Sequence, residues 1–519
     1  MLLEKRPQSG ESSSSSAPRF ISVNTLKYSA GGIPWSRPRE FFGNPSPPLS
    51  VTVRPSGTFG WSSPALFGIY SSTLGNRFHR QVGKKEMHIT VVGLGKIGLP
   101  LAVQYARKGH TVRGVDTNEA VVRLVNQGIE PFPGEEDLAG YLIEEVSSGR
   151  LNASSDYSEA VPFSDAIVVV VPLYVNEDNE PDFGWLDSAT ESIGRHITRQ
   201  TLVCFETTLP VGTCRSRWAP ALERISGLRQ GEDFHVVFSP ERVLTGRVFR
   251  DLRKYPKIVG GLSPIGESLA IQFYESVLDF DDRPDLSRPN GVWSVGSAEA
   301  AEMVKLAETT YRDVNIGLAN QFARFADKTG LDVYAVIEAA NSQPFSHIHS
   351  PGIAVGGHCI PVYPRLYLWN DPEASVVTAA RQANLSMPGY AVSLLEQSVG
   401  KLEGLNVLVW GAAYRGGVKE TAFSGVFDVV KNLIAHNANV FVSDPLYSEA
   451  ELKDMGFNPC FDSGAIDAII VQTNHSEYSN FAHGEFPRLQ VVIDGRNVIS
   501  SNQSGLIKTI GRASGPTYE

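Results

Sequence analysis

The chain contains 519 residues, of which 42% are hydrophobic and 20% are charged, and this length predicts a globular protein of two to four domains. Residues 1–86 are basic, with eleven Lys or Arg against four Glu, so the rest of the chain is more acidic than the net charge of −10 indicates. An acidic body excludes nonspecific nucleic-acid binding. The longest apolar run, residues 167–171, is far shorter than the roughly 20 residues of a membrane span. Four cysteines in so long a chain favour a reducing compartment, where thiols stay free.

Residues 1–86 are rich in Ser, Pro and Gly and show no sustained helical or strand period, so they are expected to be disordered or loosely packed. Three interpretations remain open: an organelle transit peptide, an ordinary flexible extension, or an artefact of the chosen start site. We favour the third, because Met87 directly precedes the first strand. The protein is accordingly expected in the cytoplasm, with organelle targeting the less favoured alternative.

The first folded segment is predicted to be a strand, a glycine turn and a helix. Its elements are strand 88–92, the turn Gly93-Leu94-Gly95-Lys96-Ile97-Gly98, helix 99–108 and strand 111–115, which ends on Asp116. In such a turn the first glycine reverses the chain, the second lets the backbone approach a pyrophosphate, and the third lets the helix pack on its strand.

This segment predicts a dinucleotide site. The phosphates would lie at the helix N-terminus, and Asp116 would accept hydrogen bonds from a ribose 2′-hydroxyl. NAD is favoured over NADP because a carboxylate repels a 2′-phosphate. The alternative is a structural glycine turn in an unrelated α/β domain.

Further apolar runs at residues 166–171 and 201–205 are typical of buried parallel strands, and the sheet is expected to extend to about residue 265. In an open α/β sheet ligands bind beyond the carboxyl ends of the strands. Thr208 and the pair Glu241-Arg242 follow two such strands. The alternative interpretations are that Thr208 caps a helix and that Glu241 pairs with Arg242.

Residues 297–329 form the longest helical pattern, with apolar residues three or four apart, and are expected to bridge domains or to pack against a second copy. Lys305, Glu308 and Thr309 share one face of this helix. The following loop presents Gly352, a Gly356-Gly357 pair and Cys359. Its histidines do not predict a metal site, because no second cysteine or carboxylate completes a tetrahedral ligand set.

A third unit begins after residue 395, with predicted strands at 406–410, 439–443, 468–472 and 491–493 and a helix at 424–436. The predicted fold class is therefore α/β, with two Rossmann-like doubly wound domains joined by a long central helix and a small helical domain. The predicted boundaries are 1–86 for the extension, 87–296 for the NAD-binding domain, 297–395 for the central domain and 396–519 for the last domain.

Over about residues 87–500 the chain resembles the nucleotide-sugar 6-dehydrogenases, which include UDP-glucose, UDP-N-acetylmannosamine and UDP-N-acetylglucosamine dehydrogenases. The resemblance rests on ordered motifs: GLGKIGLPLA with Asp116, TTLPVGT, SPERVLTG, AEMVKLAETTYRDVNI, GGHCIP, Asp444-Pro445 and Asp494-Gly495-Arg496-Asn497. GGHCIP and PERVLTG favour the N-acetylated branch.

The resemblance implies a four-electron oxidation of the sugar C6 alcohol to the acid, with NAD as oxidant and Cys359 forming a thiohemiacetal and then a thioester. Lys305 would stabilise oxyanions, and Glu241 and Thr208 would position water and protons. It also implies cofactor contacts from Gly93, Gly95, Lys96, Ile97, Gly98, Asp116 and Thr208. Implied substrate contacts come from Glu241, Arg242, Lys305, Thr309, Gly352, Gly356, Gly357 and Arg415. The implied partners are a UDP-sugar and, through the long helix, a second copy of the chain.

Four positions depart from the family pattern. Tyr363 stands where the family usually has Asp, Thr309 where it has Asn, Arg415 where it has Lys, and Ala422 where it has Arg. A phenol is a poor base at neutral pH. Two other functions therefore stay open: a two-electron β-hydroxyacid-type dehydrogenase, and a nucleotide-sugar-binding relative that no longer turns over.

Overall fold

The structure is a computed structural model that describes residues 86–176, 178–480, 482–500 and 505–512. The prediction for residues 1–86 therefore falls almost wholly outside the described residues. None of the helices in the described ranges is both long enough and apolar enough to cross a membrane.

The first domain is built on an eight-stranded sheet. Its strands are β1 (His88–Val92), β2 (Thr111–Val115), β3 (Leu151–Ser154), β4 (Ala166–Val169), β7 (Leu202–Phe205), β8 (His235–Phe238), β9 (Lys257–Gly261) and β10 (Val292–Ser294), and β5 (Tyr174–Val175) and β6 (Pro181–Asp182) form a separate hairpin. The strand order is β10-β9-β8-β7-β4-β1-β2-β3. Neighbours run parallel except β8 and β9. The chain reverses its direction of travel across the sheet between β3 and β4, so the turn after β1 lies at the switch point where α/β folds bind ligands.

Helices cover both faces of this sheet, which is why its central strands are apolar throughout. They are α1 (Gly98–Arg107), α2 (Glu119–Asn126), α3 (Leu138–Ser147), α4 (Tyr157–Ala160), α5 (Gly184–His196), α6 (Ala219–Ser226), α7 (Val248–Lys254) and α8 (Pro264–Val277), with a 3₁₀ turn at Val161–Phe163 and a π-helical turn at Cys214–Trp218. Val91 and Val168 belong to the core on one face. Val92 and Val169 belong to the core on the other.

The prediction that this sheet ends near residue 265 is wrong. β10 adds a strand at Val292–Ser294 and pairs in parallel with β9. The segment is only three residues long and partly exposed, so it carries no apolar run that would reveal a strand.

The central domain is dominated by α9 (Ala298–Thr329), a helix of 32 residues that spans about 48 Å. Ser297 caps its start by accepting the Ala300 N–H, and Gly330 ends it with a φ of 75°. The other central helices are α10 (Val333–Asn341), α11 (Tyr363–Asn370), α12 (Ser375–Leu385) and α13 (Met387–Val399). At Gly317 a Cβ would lie 3.0 Å from the Ala380 carbonyl oxygen, so glycine is what lets α9 and α12 pack closely.

The last domain contains a parallel five-stranded sheet of order β12-β11-β13-β14-β15. The strands are β11 (Asn406–Trp410), β12 (Asn439–Ser443), β13 (Ala468–Val471), β14 (Val491–Asp494) and β15 (Ile507–Thr509), with α14 (Val426–Ala435), α15 (Glu449–Asp454) and 3₁₀ turns at Ser463–Ala465, Ser476–Asn480 and His483–Glu485. One core joins this sheet to the central helices and includes Ala319, Met387 and Val407. The predicted fold class, two doubly wound domains with a helical centre, is confirmed.

Candidate active site

The thiol of Cys359 is exposed at the end of the glycine loop. The Cys359 carbonyl oxygen accepts the backbone N–H of Tyr363 at 2.9 Å and that of Val362 at 3.3 Å. The cysteine therefore lies at the start of α11, where the partial positive charge of a helix N-terminus favours an anion.

The side chain of Tyr363 interacts with the side chains of Thr208 and Cys359. Burial and the neighbouring sulfur raise the pKa of Tyr363 well above its ordinary value, so the side chain stays a neutral phenol. A neutral phenol has a single proton that it can donate. Tyr363 can thus act as a hydrogen-bond donor beside the thiol and not as a base.

Lys305 projects from α9 into the same region. Lys305 is 7% exposed, and its Nζ atom lies 6.0 Å from the centre of the Tyr363 ring. One turn later the hydroxyl of Thr309 donates to the Lys305 carbonyl oxygen at 2.9 Å. Thr309 can therefore only accept a hydrogen bond from a ligand, and its predicted substrate contact stays a prediction.

Glu241 is held by three groups of the protein. Its Oε2 atom lies 2.8 Å from the Lys257 Nζ atom, and its Oε1 atom accepts the backbone N–H groups of Arg242 at 2.7 Å and Val243 at 3.2 Å. Burial by itself would raise the pKa of Glu241, but the charge and hydrogen bond of Lys257, with help from Lys305, hold that pKa below its ordinary value. Glu241 is therefore a carboxylate at neutral pH.

The alternative that Glu241 pairs with the side chain of Arg242 is wrong. The Arg242 guanidinium donates instead to Glu308 Oε2, at 2.9 Å from Nε, and to the Pro256 carbonyl oxygen. The ion-pair partner of Glu241 is Lys257, the first residue of β9. The sequence patterns did not predict this lysine. A lysine followed by the apolar residues of a buried strand is the signal that could have revealed it.

Glu302, on α9 one turn before Lys305, was also missed. Its carboxylate accepts the backbone N–H groups of Gly212 at 2.5 Å and Cys214 at 3.0 Å, where the segment after Thr208 enters a helical turn. Burial raises the pKa of Glu302 to about 7. Glu302 thus ties the Thr208 segment to the helix that carries Lys305.

The glycine turn fits a dinucleotide. A Cβ at Gly95 would meet no atom within 4 Å, whereas one at Gly98 would lie 1.8 Å from the Gly93 carbonyl oxygen. Gly95 therefore leaves an open approach to the backbone, and Gly98 permits the contact between helix and strand. Asp116 accepts the Leu94 N–H at 2.8 Å, which braces the turn and leaves oxygen lone pairs for a ribose.

Lys96 connects the cofactor turn to the last domain. Its Nζ atom lies 3.1 Å from Glu420 Oε2, and His358 Nε2 lies 3.6 Å from the same oxygen. Ile97 occupies the N-cap position of α1. Glu420 therefore touches both the cofactor turn and the residue next to Cys359.

The loop glycines meet the last domain. A Cβ at Gly356 would lie 2.6 Å from the Tyr414 Cβ, and the Gly357 N–H donates to the Ala422 carbonyl oxygen at 2.8 Å. Arg415 is exposed and lies 5.8 Å from the centre of the Tyr414 ring. The predicted contacts of Gly356, Gly357 and Arg415 with substrate remain predictions.

Gly352 fixes the other end of the loop. Its N–H donates to Asn320 Oδ1 at 2.9 Å, and a Cβ there would lie 3.1 Å from Arg496 Nη1. Arg381 donates to the Ile360 carbonyl oxygen at 3.4 Å. Both ends of the Cys359 loop are thus anchored to buried polar side chains of α9 and α12.

The structure thus brings Cys359, Thr208, Lys305 and Glu241 to one region, with Tyr363 among them. Within the described ranges, no group of three His, Cys, Asp or Glu side chains is arranged to hold a metal ion.

Three models of the UDP-glucose/GDP-mannose dehydrogenase family match successive parts of the chain. They are its NAD binding domain at residues 87–278, its central domain at 299–386 and its UDP binding domain at 408–501.

Two relatives match along nearly their whole length. A UDP-N-acetyl-D-mannosamine dehydrogenase of Pyrococcus horikoshii is 36% identical over 82% of this chain and 99% of its own. A UDP-N-acetyl-D-glucosamine 6-dehydrogenase of Pseudomonas aeruginosa is 31% identical over 81% of this chain and 99% of its own. The solved structure of a UDP-D-ManNAc dehydrogenase from Pyrococcus horikoshii superposes with a TM-score of 0.74 at 34% identity, over 82% of this chain and 100% of that one.

Proposed function

Because the chain belongs to the UDP-glucose/GDP-mannose dehydrogenase family, we propose that it oxidises the C6 alcohol of a UDP-N-acetylhexosamine to the uronic acid. NAD supplies the chemistry of accepting a hydride in each of the two oxidations. The observation that carries the proposal is the grouping of side chains at Cys359: Tyr363 interacts with both Thr208 and Cys359, and Lys305 Nζ lies 6.0 Å from the centre of the Tyr363 ring. The thiol that this loop presents to solvent therefore has a neutral donor and a cation nearby.

In this proposal the Cys359 thiolate adds to the C6 aldehyde formed by the first oxidation, and a C–S bond forms. The second oxidation converts the thiohemiacetal into a thioester, and water releases the acid and the thiolate. Lys305 stabilises the negative oxygen at C6 in each tetrahedral state. Tyr363 stabilises the sulfur by hydrogen bonding, and Glu241, ionised at neutral pH, accepts a proton from the water.

The N-acetylhexosamine class is favoured because the relatives described above are named for UDP-N-acetyl-D-mannosamine and UDP-N-acetyl-D-glucosamine. A UDP-uronic acid is an activated sugar, so the product would feed a polysaccharide. The free thiols of Cys204, Cys214, Cys359 and Cys460 favour a reducing compartment such as the cytoplasm.

We also propose a homodimer formed through α9. Five large apolar side chains, spaced three to eight residues apart along this helix, are at least 37% exposed: Met303, Tyr311, Leu318, Phe322 and Phe325. A row of this length is unusual for a surface that stays in water. A second copy related by a two-fold axis would bury the same row on both chains.

A panel of UDP-sugars with NAD tests the proposed function. Two NADH per UDP-N-acetylhexosamine, with a uronic acid as product, is the expected result. One NADH with an aldehyde or ketone product would indicate a two-electron dehydrogenase. This function is the leading alternative, because Tyr363 stands where the family usually has an acid. Binding without any NADH would indicate a relative that only binds. Cys359→Ser is expected to abolish acid formation while NAD binding is retained.

A further inference from the structure

A buried cluster of ionisable groups lies behind Glu241. Lys257 Nζ is 2.8 Å from Glu241 Oε2 and also 2.8 Å from Glu206 Oε2. The side chain of Lys257 is 5% exposed and that of Glu206 is 0% exposed. A single ammonium group therefore bridges two carboxyl groups, one at the active site and one in the core.

The second oxygen of Glu206 is also bound. Its Oε1 atom accepts the Tyr274 hydroxyl at 2.6 Å, and the Tyr105 hydroxyl lies 3.5 Å away. Burial raises the pKa values of both tyrosines well above the ordinary value, so both remain neutral donors. Glu206 is thus hydrogen-bonded on each oxygen, but the ion-pair partner that it has among the described residues is shared with Glu241.

When both carboxyl groups are ionised, they share one ammonium within hydrogen-bonding distance, and the charge of Lys305 acts in addition on Glu241. The charge of Glu206 is therefore the less well compensated of the two, and a buried site lowers that cost by taking up a proton. Burial raises the pKa of Glu206 to about 7, whereas Lys257 and the backbone hold the pKa of Glu241 below its ordinary value. A proton that enters the cluster is therefore more stable on Glu206 than on Glu241.

The other groups that face the cluster do not change which carboxyl group has the higher pKa. Tyr105 from α1 and Tyr274 from α8 are neutral, and burial raises the pKa of the Cys204 thiol in β7. Lys305 from α9 acts on Glu241 and adds to the preference for its ionised form. These groups thus either leave unchanged or increase the difference in pKa between Glu206 and Glu241.

We propose that Lys257 and Glu206 are positioning residues for Glu241: Lys257 keeps Glu241 ionised, and Glu206 stores the proton that Glu241 takes from the reacting water. The inference rests on the role proposed above for Glu241. It explains how a carboxylate with a low proton affinity can serve as a base, since the proton does not remain on it.

The transfer balances at each atom. As the water oxygen bonds to the thioester carbon, its O–H bond breaks and the proton passes to Glu241. One N–H bond of Lys257 breaks as an O–H bond forms on Glu206, and the Lys257 nitrogen takes the proton from Glu241. Lys257 is again an ammonium, Glu241 is again ionised, and the C–S electron pair leaves with the sulfur of Cys359.

Infrared difference spectroscopy on the protein without substrate tests the charge states directly, because a protonated buried carboxyl group has its own carbonyl band. As the pH rises through about 7, the wild type is expected to lose a band that Glu206→Gln lacks from the start. Glu302 is also expected to titrate near 7, so Glu302→Gln serves to assign its band. Lys257→Met is expected to produce a new protonated band from Glu241, and Lys257→Arg is not.

The pH profile of kcat supplies the second readout, because water attacks the thioester after both oxidations. The wild type is expected to lose activity below about pH 7, where Glu206 is already protonated. Glu206→Gln, which keeps the shape of the side chain, is expected to lower kcat at least tenfold at pH 8 and to remove the limb near 7. In Lys257→Met the loss of activity at low pH is expected to begin at a higher pH than in the wild type. Lys257→Arg is expected to restore the wild-type profile. Glu275→Gln removes an exposed charge beside Tyr274 on the same helix, and is expected to change neither spectrum nor profile.

These readouts separate the inference from the proposed function. An unchanged infrared titration in Glu206→Gln, or the absence of a new band in Lys257→Met, would overturn the inference even if UDP-sugars are oxidised. Absence of turnover with the expected bands would overturn the proposed function and the proton transfer, and leave the charge arrangement standing. A wild-type profile retained by Glu206→Gln would also overturn proton storage.

Discussion

The backbone N–H of Tyr363 donates a hydrogen bond to the carbonyl oxygen of Cys359, four residues earlier in the chain, at 2.9 Å. The Tyr363 side chain also interacts with the Cys359 side chain. The first turn of α11 therefore fixes the backbone of the cysteine and places a phenol next to its thiol. The phenol stays neutral because burial raises its pKa, so it can donate a hydrogen bond to the sulfur.

Tyr363→Phe is expected to slow alkylation of Cys359 by iodoacetamide at pH 7 about tenfold, since hydrogen bonds to charged groups contribute about 1.5 to 3 kcal/mol. The rate is measured by mass spectrometry of the modified peptide. Because Cys460 is also exposed, the comparison is made in a Cys460→Ser background. Equal rates for Tyr and Phe would show that the phenol does not stabilise the thiolate.

Glu302 is expected to make stability depend on pH. Its pKa is raised to about 7 when folded, so between pH 4.5 and 7 the folded chain binds more protons than the unfolded chain. The stabilising effect of protonation is complete below the unfolded pKa and is lost as the pH rises through 7. Relative to Glu302→Gln, the wild type should lose about 2 kcal/mol of unfolding free energy between pH 5 and 8, measured by urea denaturation. A constant difference across this range would contradict the raised pKa.

The exposed apolar row on α9 gives a prediction about assembly. Leu318→Asp, at a position that is 45% exposed, is expected to convert the dimer to monomers, because a charge would be buried without a partner. Val376→Asp is a matched control on α12, at a position that is 67% exposed. Sedimentation velocity measures both variants, and a dimeric Leu318→Asp protein would exclude α9 as the interface.

Much of this arrangement follows from sequence patterns. The glycine turn with Asp116 predicts a strand, a helix and a ligand site, because each glycine stands where a side chain would clash with the backbone or block a ligand. The helix α9 is predictable because its 3.6-residue period extends over 32 residues. Local patterns could not reveal Lys257 or Glu302, since their partners lie 16 to 90 residues away. The short β10 and the pairing of Arg242 with Glu308 likewise depend on tertiary contacts.

The contact between Lys96 and Glu420 leads to a prediction about cofactor affinity. Lys96 lies in the turn predicted to bind the NAD pyrophosphate, and Glu420 holds its ammonium at 3.1 Å. The carboxylate therefore both competes for Lys96 and repels an incoming phosphate. Glu420→Gln is expected to lower the Kd for NAD about threefold to tenfold, with little effect on the melting temperature because exposed ion pairs contribute at most about 1 kcal/mol.

Isothermal titration calorimetry at low and high salt measures the Kd for NAD. The gain in NAD affinity should be smaller at high salt, because salt screens the charges. Glu451→Gln is the matched control, because Glu451 pairs with Lys419 in the same domain and no contact joins that pair to the cofactor turn in the described ranges. Weaker NAD binding in Glu420→Gln would contradict this prediction and would mean that the ion pair orders the turn for the cofactor.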